Sequence, residues 1–290
     1  MDSPHGAEVS AEDFGLEGPR GWAFRGVDFA ADPGTLVAIE GPSGSGRTCL
    51  LLALTGRMRS TQGHAEVGGL RMPGRLAAVR RISALGPVPG VSELDPAFTV
   101  AEHLRERALL QRRFDGSLRT LLRPRAQRTA TARATVDAAL EAVRLDPSAL
   151  PKAERTSVRD LERLEALRLS IALALMARPR LLAVDDTDLK LSDADRAEAW
   201  ELLRTLADSG TTVLAVCSEA PEDAFTVRTG TPAAEQPDGA AEGPTGEDDA
   251  AEDDVAEDNS AGDDASGNAT TEDDTTGEGT ADAIAETGRA

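Results

Sequence analysis

Two stretches of this chain carry residue types that can handle phosphate, and they stand far apart. The first, GPSGSGRT at 41–48, runs Gly41, Pro42, Ser43, Gly44, Ser45, Gly46, Arg47, Thr48. Glycines at this spacing, followed by a cation and a hydroxyl, suit a loop that turns backbone N–H groups toward phosphate oxygens. Such a loop ordinarily carries lysine at the position of Arg47. The second stretch, RLLAVDD at 180–186, is an apolar run that ends on two acids. A carboxylate closing a buried strand can share a magnesium ion with the loop hydroxyl, which assigns Thr48 and Asp185 as the metal ligands. Asp186 is then the candidate catalytic residue, turned toward an attacking water.

These residues need elements to position them. TLVAIE at 35–40 is a short β-branched strand that runs into the loop, and RTCLLLALTGR reads as a helix stopping at Gly56. Strand, glycine loop and helix in that order give the motif the context it requires. Upstream, WAFRGVDFAA at 22–31 alternates like an edge strand and is followed by the turn Asp32-Pro33-Gly34, whereas residues 1–20 are weakly patterned. Residues 101–144 turn helical, with Val136, Leu140 and Val143 on one face, and a further helix runs from about Arg159 to Ala177. The acid-ended strand, a helix from Asp193 to Asp208 stopped by Ser209-Gly210, and the strand TTVLAVCS form a parallel crossover unit. Asp185 lies 137 positions after Thr48 with a helical insert between, which disfavours the small-molecule kinases that share such loops.

Composition narrows the reading. From residue 229 to 290 there are 19 Asp and Glu against one Arg, a net of −18. The whole chain carries −20, so residues 1–228 are close to neutral at −2. A segment this acidic and poor in apolar clusters cannot offset its ordering entropy, so 229–290 is expected to be a disordered tail, a solubiliser or a docking arm for a basic partner. Its deletion is expected to leave melting temperature and nucleotide affinity nearly unchanged. The near-neutral body, without an aromatic platform, argues against nucleic-acid readout. Cys49 and Cys217 lack metal-ligand spacing and read as buried free thiols of a cytoplasmic protein. The longest apolar runs, such as LSIALALMA at 169–177, are shorter than the 18 or more residues of a span. Only Lys152 and Lys190 are lysines among 31 basic residues, so Arg47 alone is weak evidence of a lost function.

Four stretches, GPSGSGRT, LDPAFTVAEHL at 94–104, ALALMARPRLLAVDD at 172–186 and TTVLAVCSE at 211–219, resemble the nucleotide-binding subunits of ABC transporters over residues 20–220. The resemblance implies an α/β P-loop NTPase with a mostly parallel core sheet, an N-terminal antiparallel β edge and a helical subdomain at about 100–177, all within residues 1–228. It implies ATP and Mg²⁺ as ligands, with Gly41, Pro42, Ser43, Gly44, Ser45, Gly46, Arg47, Thr48 and Asp185 holding them. It implies a membrane permease subunit or a competent ABC subunit as partner, and a cytoplasmic site at the inner face of the membrane. Trp22 stands where the family places an aromatic that stacks on adenine; packing in the strand is its other reading.

The chain departs from that pattern at several positions. No glutamine stands near Pro87, Leu161-Glu162-Arg163-Leu164-Glu165 replaces the signature that contacts a partner's ATP, Asp186 is a methylene shorter than the family's glutamate, and Ser218 replaces the switch histidine. Carboxylates facing phosphate across a partly desolvated interface cost several kcal/mol, so a symmetric ATP-sandwich homodimer is not expected. Two functions stay open: an ATP-binding transporter subunit with weak or partner-dependent hydrolysis, and a non-hydrolysing pseudo-ATPase acting as scaffold or regulator.

Overall fold

The computed structural model describes residues 6–114, 125–188 and 190–230; the acidic stretch from 231 onward and the middle of the 101–144 helical stretch lie outside them. In chain order the elements are β1 (Val9–Gly18), β2 (Gly21–Ala31), β3 (Leu36–Glu40), α1 (Arg47–Leu54), β4 (Gln62–Val67), β5 (Leu70–Met72), α2 (Leu76–Ile82) and β6 (Ser83–Leu85). There follow α3 (Val100–Phe114), α4 (Arg125–Ala142), α5 (Arg163–Leu175), β7 (Leu181–Val184), α6 (Asp193–Asp208), β8 (Thr212–Cys217) and β9 (Phe225–Arg228).

Strands β7 and β8 are apolar without alternation because both of their faces are covered, and β3 is buried up to its last residue. They lie in a five-stranded parallel sheet of order β6-β7-β8-β3-β9. Successive side chains go to opposite cores. Leu36, Ala38, Leu182, Val184, Val213 and Ala215 join the cluster that holds the buried residues of α5 and α6. Val37, Ile39, Leu181, Ala183, Leu214 and Val216 join the other, with Leu50, Leu51 and Leu54 of α1. A separate antiparallel sheet of order β2-β1-β4-β5 contributes Val9, Phe14, Phe24, Ala65 and Val67 to that second core. This is the P-loop cassette architecture that the resemblance implies.

Several expectations hold closely. Helix α6 spans Asp193–Asp208, with Ser192 capping the amide of Asp195, and β7-α6-β8 is a parallel crossover. Helix α1 ends before Gly56, whose φ is +73°; a Cβ there would stand 2.7 Å from the Leu76 carbonyl oxygen. Leu140 and Val143 are buried in the first cluster, and Val136 packs against it.

Others need correction. Residues 9–18 form β1, the strand that joins β2 to β4. Its register slips after Ala11 and again around Leu16, so Phe14, Gly15 and Leu16 are buried in succession and the period of two is lost. The helix expected from about Arg159 starts at Arg163, because Val158–Asp160 is a separate 3₁₀ turn and Glu162 caps the helix. Cys217 is buried, but Cys49 is only partly so.

Strand β9 was not expected. It pairs in parallel with β3, from Val37 opposite Phe225 to Glu40 opposite Arg228, and Thr229 continues it, buried at 3% exposure. The Thr229 amide donates to the Glu40 carbonyl at 2.9 Å, and its hydroxyl lies 2.7 Å from that of Ser45. A cut after Arg228 therefore removes the hydrogen bonds that Thr229 makes to Glu40 and Ser45. Each buried bond contributes about 0.5–1.5 kcal/mol, and a kcal/mol shifts a body of this size by about 2–4 °C. Thermal unfolding should thus show a loss of several degrees for the chain ending at Arg228. The chain ending at Gly230 should melt like the full-length protein, and a matching loss there would mean that residues beyond 230 pack on the body.

Candidate functional site

Three strand ends converge where the sequence places its chemistry. β3 delivers the glycine loop, β7 delivers Asp185, and β8 lies between them in the sheet. The loop closes tightly because Gly44 and Gly46 adopt φ of +81° and +82°, a region open to glycine. Gly46 also faces the Ala23 carbonyl of β2, and any Cβ at 46 would collide with it. The Ser45 amide donates to the Pro42 carbonyl at 3.1 Å, tightening the turn from within. Gly46 is the N-cap of α1, and no side chain caps that end. The first amides of a helix have no partner inside it, so Arg47, Thr48 and their neighbours offer donors to an anion at the loop. Ser43 and Gly44 form the outer turn after the exposed Pro42, and nothing crowds the position of a Cβ on Gly44.

The Thr48 hydroxyl donates to Asp185 Oδ2 at 2.7 Å. The other carboxylate oxygen accepts the Asp186 amide at 3.0 Å, and the Asp185 amide donates to the Pro87 carbonyl at 2.9 Å. Asp185 is 2% exposed. Burial pushes its carboxyl above the ordinary value; the Thr48 bond opposes that rise, and the neighbouring Asp186 adds to it. Two oxygen ligands suit Mg²⁺, which keeps waters and takes its remaining ligands from substrate phosphates. No group of three or more His, Cys, Asp or Glu side chains able to hold a metal ion occurs among the described residues.

Asp186 is half-buried with φ of +49°, a conformation aspartate tolerates better than glutamate does. Arg47 does not point freely across the loop. Its guanidinium donates to the carbonyl of Cys217 at the end of β8. Burial pushes the Cys217 thiol up to about 12, with Asp188 and Glu40 adding to the rise.

The remaining expected positions are also placed. Pro87 stands against Asp185, so the segment lacking glutamine does flank the site. Ser218 is exposed, and its amide donates to Asp188 Oδ2 at 2.8 Å. Glu162 and Glu165 form a capping box at the start of α5, where each carboxylate accepts the other's backbone amide. Trp22 is half-exposed, with the Arg25 guanidinium 5.0 Å from its ring centroid, so an adenine on that face must displace Arg25. Sequence reasoning missed Asp188 and Thr229. The first carried no signal. The second had one, since Phe225, Val227 and Thr229 alternate with Thr226 and Arg228.

A carboxyl raised by burial contributes stability in acid, and that contribution is lost as pH rises through its folded value. Asp185→Asn should therefore leave the ligand-free protein at least as stable as the parent at pH 7, and this advantage should vanish below the ordinary carboxylate range. The same substitution, like Thr48→Ala, should remove the magnesium-dependent part of nucleotide binding. Melting curves at pH 7 and pH 3, with and without Mg²⁺ and ATP, check both halves. A destabilised variant at pH 7 would show that Asp185 is structural.

Among curated proteins, the chain is similar to the Nod factor export ATP-binding protein I of Burkholderia thailandensis, at 32% identity over 189 residues. The match covers 65% of this chain and 55% of that one. The counterpart in Rhizobium etli is 28% identical over 188 residues, 65% and 53% of the two chains. The chain thus spans about half the length of the curated relatives it matches. Among solved structures it resembles a dimeric bacterial ABC transporter cassette, with TM-score 0.59, 20% identity, and 77% and 94% of the two chains covered. It also resembles cbiO1 of Clostridium perfringens, described as part of the cbiONQ ABC transporter complex, with TM-score 0.57, 18% identity, and 73% and 78% covered. The family model for ABC transporters matches residues 24–188, more than half of the chain. That span takes in the loop and the two acids that follow β7, and the chain belongs to the ABC transporter family.

Proposed function

We propose that this chain is the ATP-binding subunit of an ABC-type transporter or related membrane complex, and that it binds Mg·ATP while hydrolysing it weakly or only beside a competent partner. The observation that carries the reading is the 2.7 Å bond between Thr48 and Asp185, beside a helix N-terminus that no side chain caps. The amides of the loop and of the first turn of α1 bind phosphate oxygens. Thr48 and Asp185 hold the magnesium ion, which supplies charge neutralisation on the phosphates when bound. Asp186 orients water from a position about one C–C bond further back than a glutamate would, and about 1 Å of misplacement can cost about 10²-fold.

The second reading, a non-hydrolysing scaffold or regulator, draws on Arg47 and on the start of α5. A guanidinium held on the Cys217 carbonyl is a planar fork where the loop ordinarily has a compact ammonium. The capping box of Glu162 and Glu165 uses amides at the start of α5 and leaves carboxylates there. Both features favour binding over turnover and weigh against a symmetric ATP-sandwich homodimer. No described helix is long and apolar enough to cross a membrane. Membership of a transporter family and the likeness to cbiO1 support a membrane permease subunit as partner and, with it, a position at the cytoplasmic face.

Titration with a fluorescent ATP analogue in the presence of Mg²⁺ should show binding, and no binding up to about 1 mM, an affinity worth only about 4 kcal/mol, would end the reading. Arg47→Lys should preserve or tighten that binding and leave turnover at background, because residues that act as a unit do not recover singly. A rise to about 1 s⁻¹, the low end of ordinary enzyme rates, would show that Arg47 alone had disabled a working site.

A further inference from the structure

The phosphate loop rests on a residue outside the family match. Ser45, in the middle of the loop, is 1% exposed, and its hydroxyl turns inward to meet that of Thr229 at 2.7 Å. The Thr229 hydroxyl also reaches the Glu40 carbonyl, at 3.3 Å, and its amide donates to the same carbonyl at 2.9 Å. The donors fall into one order: Ser45 donates to Thr229, and Thr229 donates to Glu40. One hydroxyl thus ties the residue that enters the loop to the residue at its centre. The fit is close, since a Cβ on Gly41 would meet the Thr229 hydroxyl, the Thr229 carbonyl oxygen and the Ser45 hydroxyl together. Arg228 steadies the approach through an ion pair with Glu40 at 3.2 Å.

We infer that Thr229 is a positioning residue of the nucleotide site, holding the phosphate loop in its binding conformation by bridging Glu40 and Ser45. The inference deepens the reading of the loop as an ATP site and rests on it. The physical ground is that loop amides bind phosphate well only when already aimed, and a buried hydroxyl left without its partner costs more than the bond it made. Removing the Thr229 hydroxyl leaves Ser45 buried and unpaired. The loop relieves this by turning Ser45 outward, which swings the amides of Gly44 and Gly46 with it.

The test compares Thr229→Val, which keeps the shape, with Thr229→Ser, which keeps the hydroxyl. In the full-length protein Thr229→Val should weaken binding of an ATP analogue about five- to tenfold. The loss should be the same with and without Mg²⁺, because the amides act on phosphate in both cases and the Thr48–Asp185 pair is untouched. Thr229→Ser should restore the parent affinity. Hydrogen exchange of the amides at 41 and 43–46 should quicken in Thr229→Val and return to the parent rate in Thr229→Ser. Parent-like binding by Thr229→Val, or a Thr229→Ser variant as weak as Thr229→Val, would overturn the inference. If the parent protein binds no nucleotide, the proposed function fails and the exchange measurement still decides: unchanged exchange at 41–46 in Thr229→Val overturns the positioning role.

Discussion

Strand β8 stands between the strand that carries the phosphate loop and the strand that carries the carboxylates, and the site depends on its burial on both faces. Thr48 reaches Asp185 only because β3 and β7 each pair with β8 in parallel, Ala38 and Ala183 facing Ala215 and Leu214. Parallel strands without a polar face are held in register by what covers them, and here two separate cores do so, with alternate side chains committed to each. A slip of one residue would exchange the two sets and carry the ends of the strands out of line. The loop and the acids are therefore a product of the sheet as much as of their own residue types.

This explains what could be read from the sequence. Continuous apolar runs, the glycine loop and the well-capped helix α6 are local signals, and local physics sets them. β1 was hidden because its bulges put three consecutive buried residues where alternation was sought, and Asp13, with φ of +44°, carries part of the irregularity. β9 was hidden for another reason. Four residues beside a strongly acidic stretch look like its continuation, and only the pairing with β3 shows that they belong to the body. The start of α5 was misjudged because helical composition runs through Val158–Asp160, while the cap that ends the preceding turn is a pair of glutamates.

The site residues divide in the same way. Gly41 to Thr48, Asp185 and Asp186 stood out as candidates because phosphate chemistry would need those types at that spacing, and the fold brings Thr48 against Asp185 with Asp186 beside it. Thr229 lies 184 positions from Ser45 and belongs to no motif; the alternation over 225–229 marks a strand there, but only the closing of the sheet shows that it meets the loop. Its support costs the chain sequence freedom at Gly41, where any side chain would collide with the bridge.

The departures at Arg47 and Ser218 are linked through the end of β8. Arg47 is fastened to the Cys217 carbonyl, and the next amide, that of Ser218, is fastened to Asp188 from the segment after β7. Both bonds hold the tip of β8 within the chain itself, at the point where the family's switch residue would otherwise be free to meet a phosphate. A serine there has neither the length nor the charge of an imidazole, so nothing is lost by tying its backbone down. Arginine suits this arrangement better than lysine does, because its planar fork can give one donor to a carbonyl and keep others for an anion. The same fastening leaves Thr48, Asp185 and the open helix end untouched. On the proposed reading, phosphate and magnesium are held by parts of the crevice other than the tip of β8.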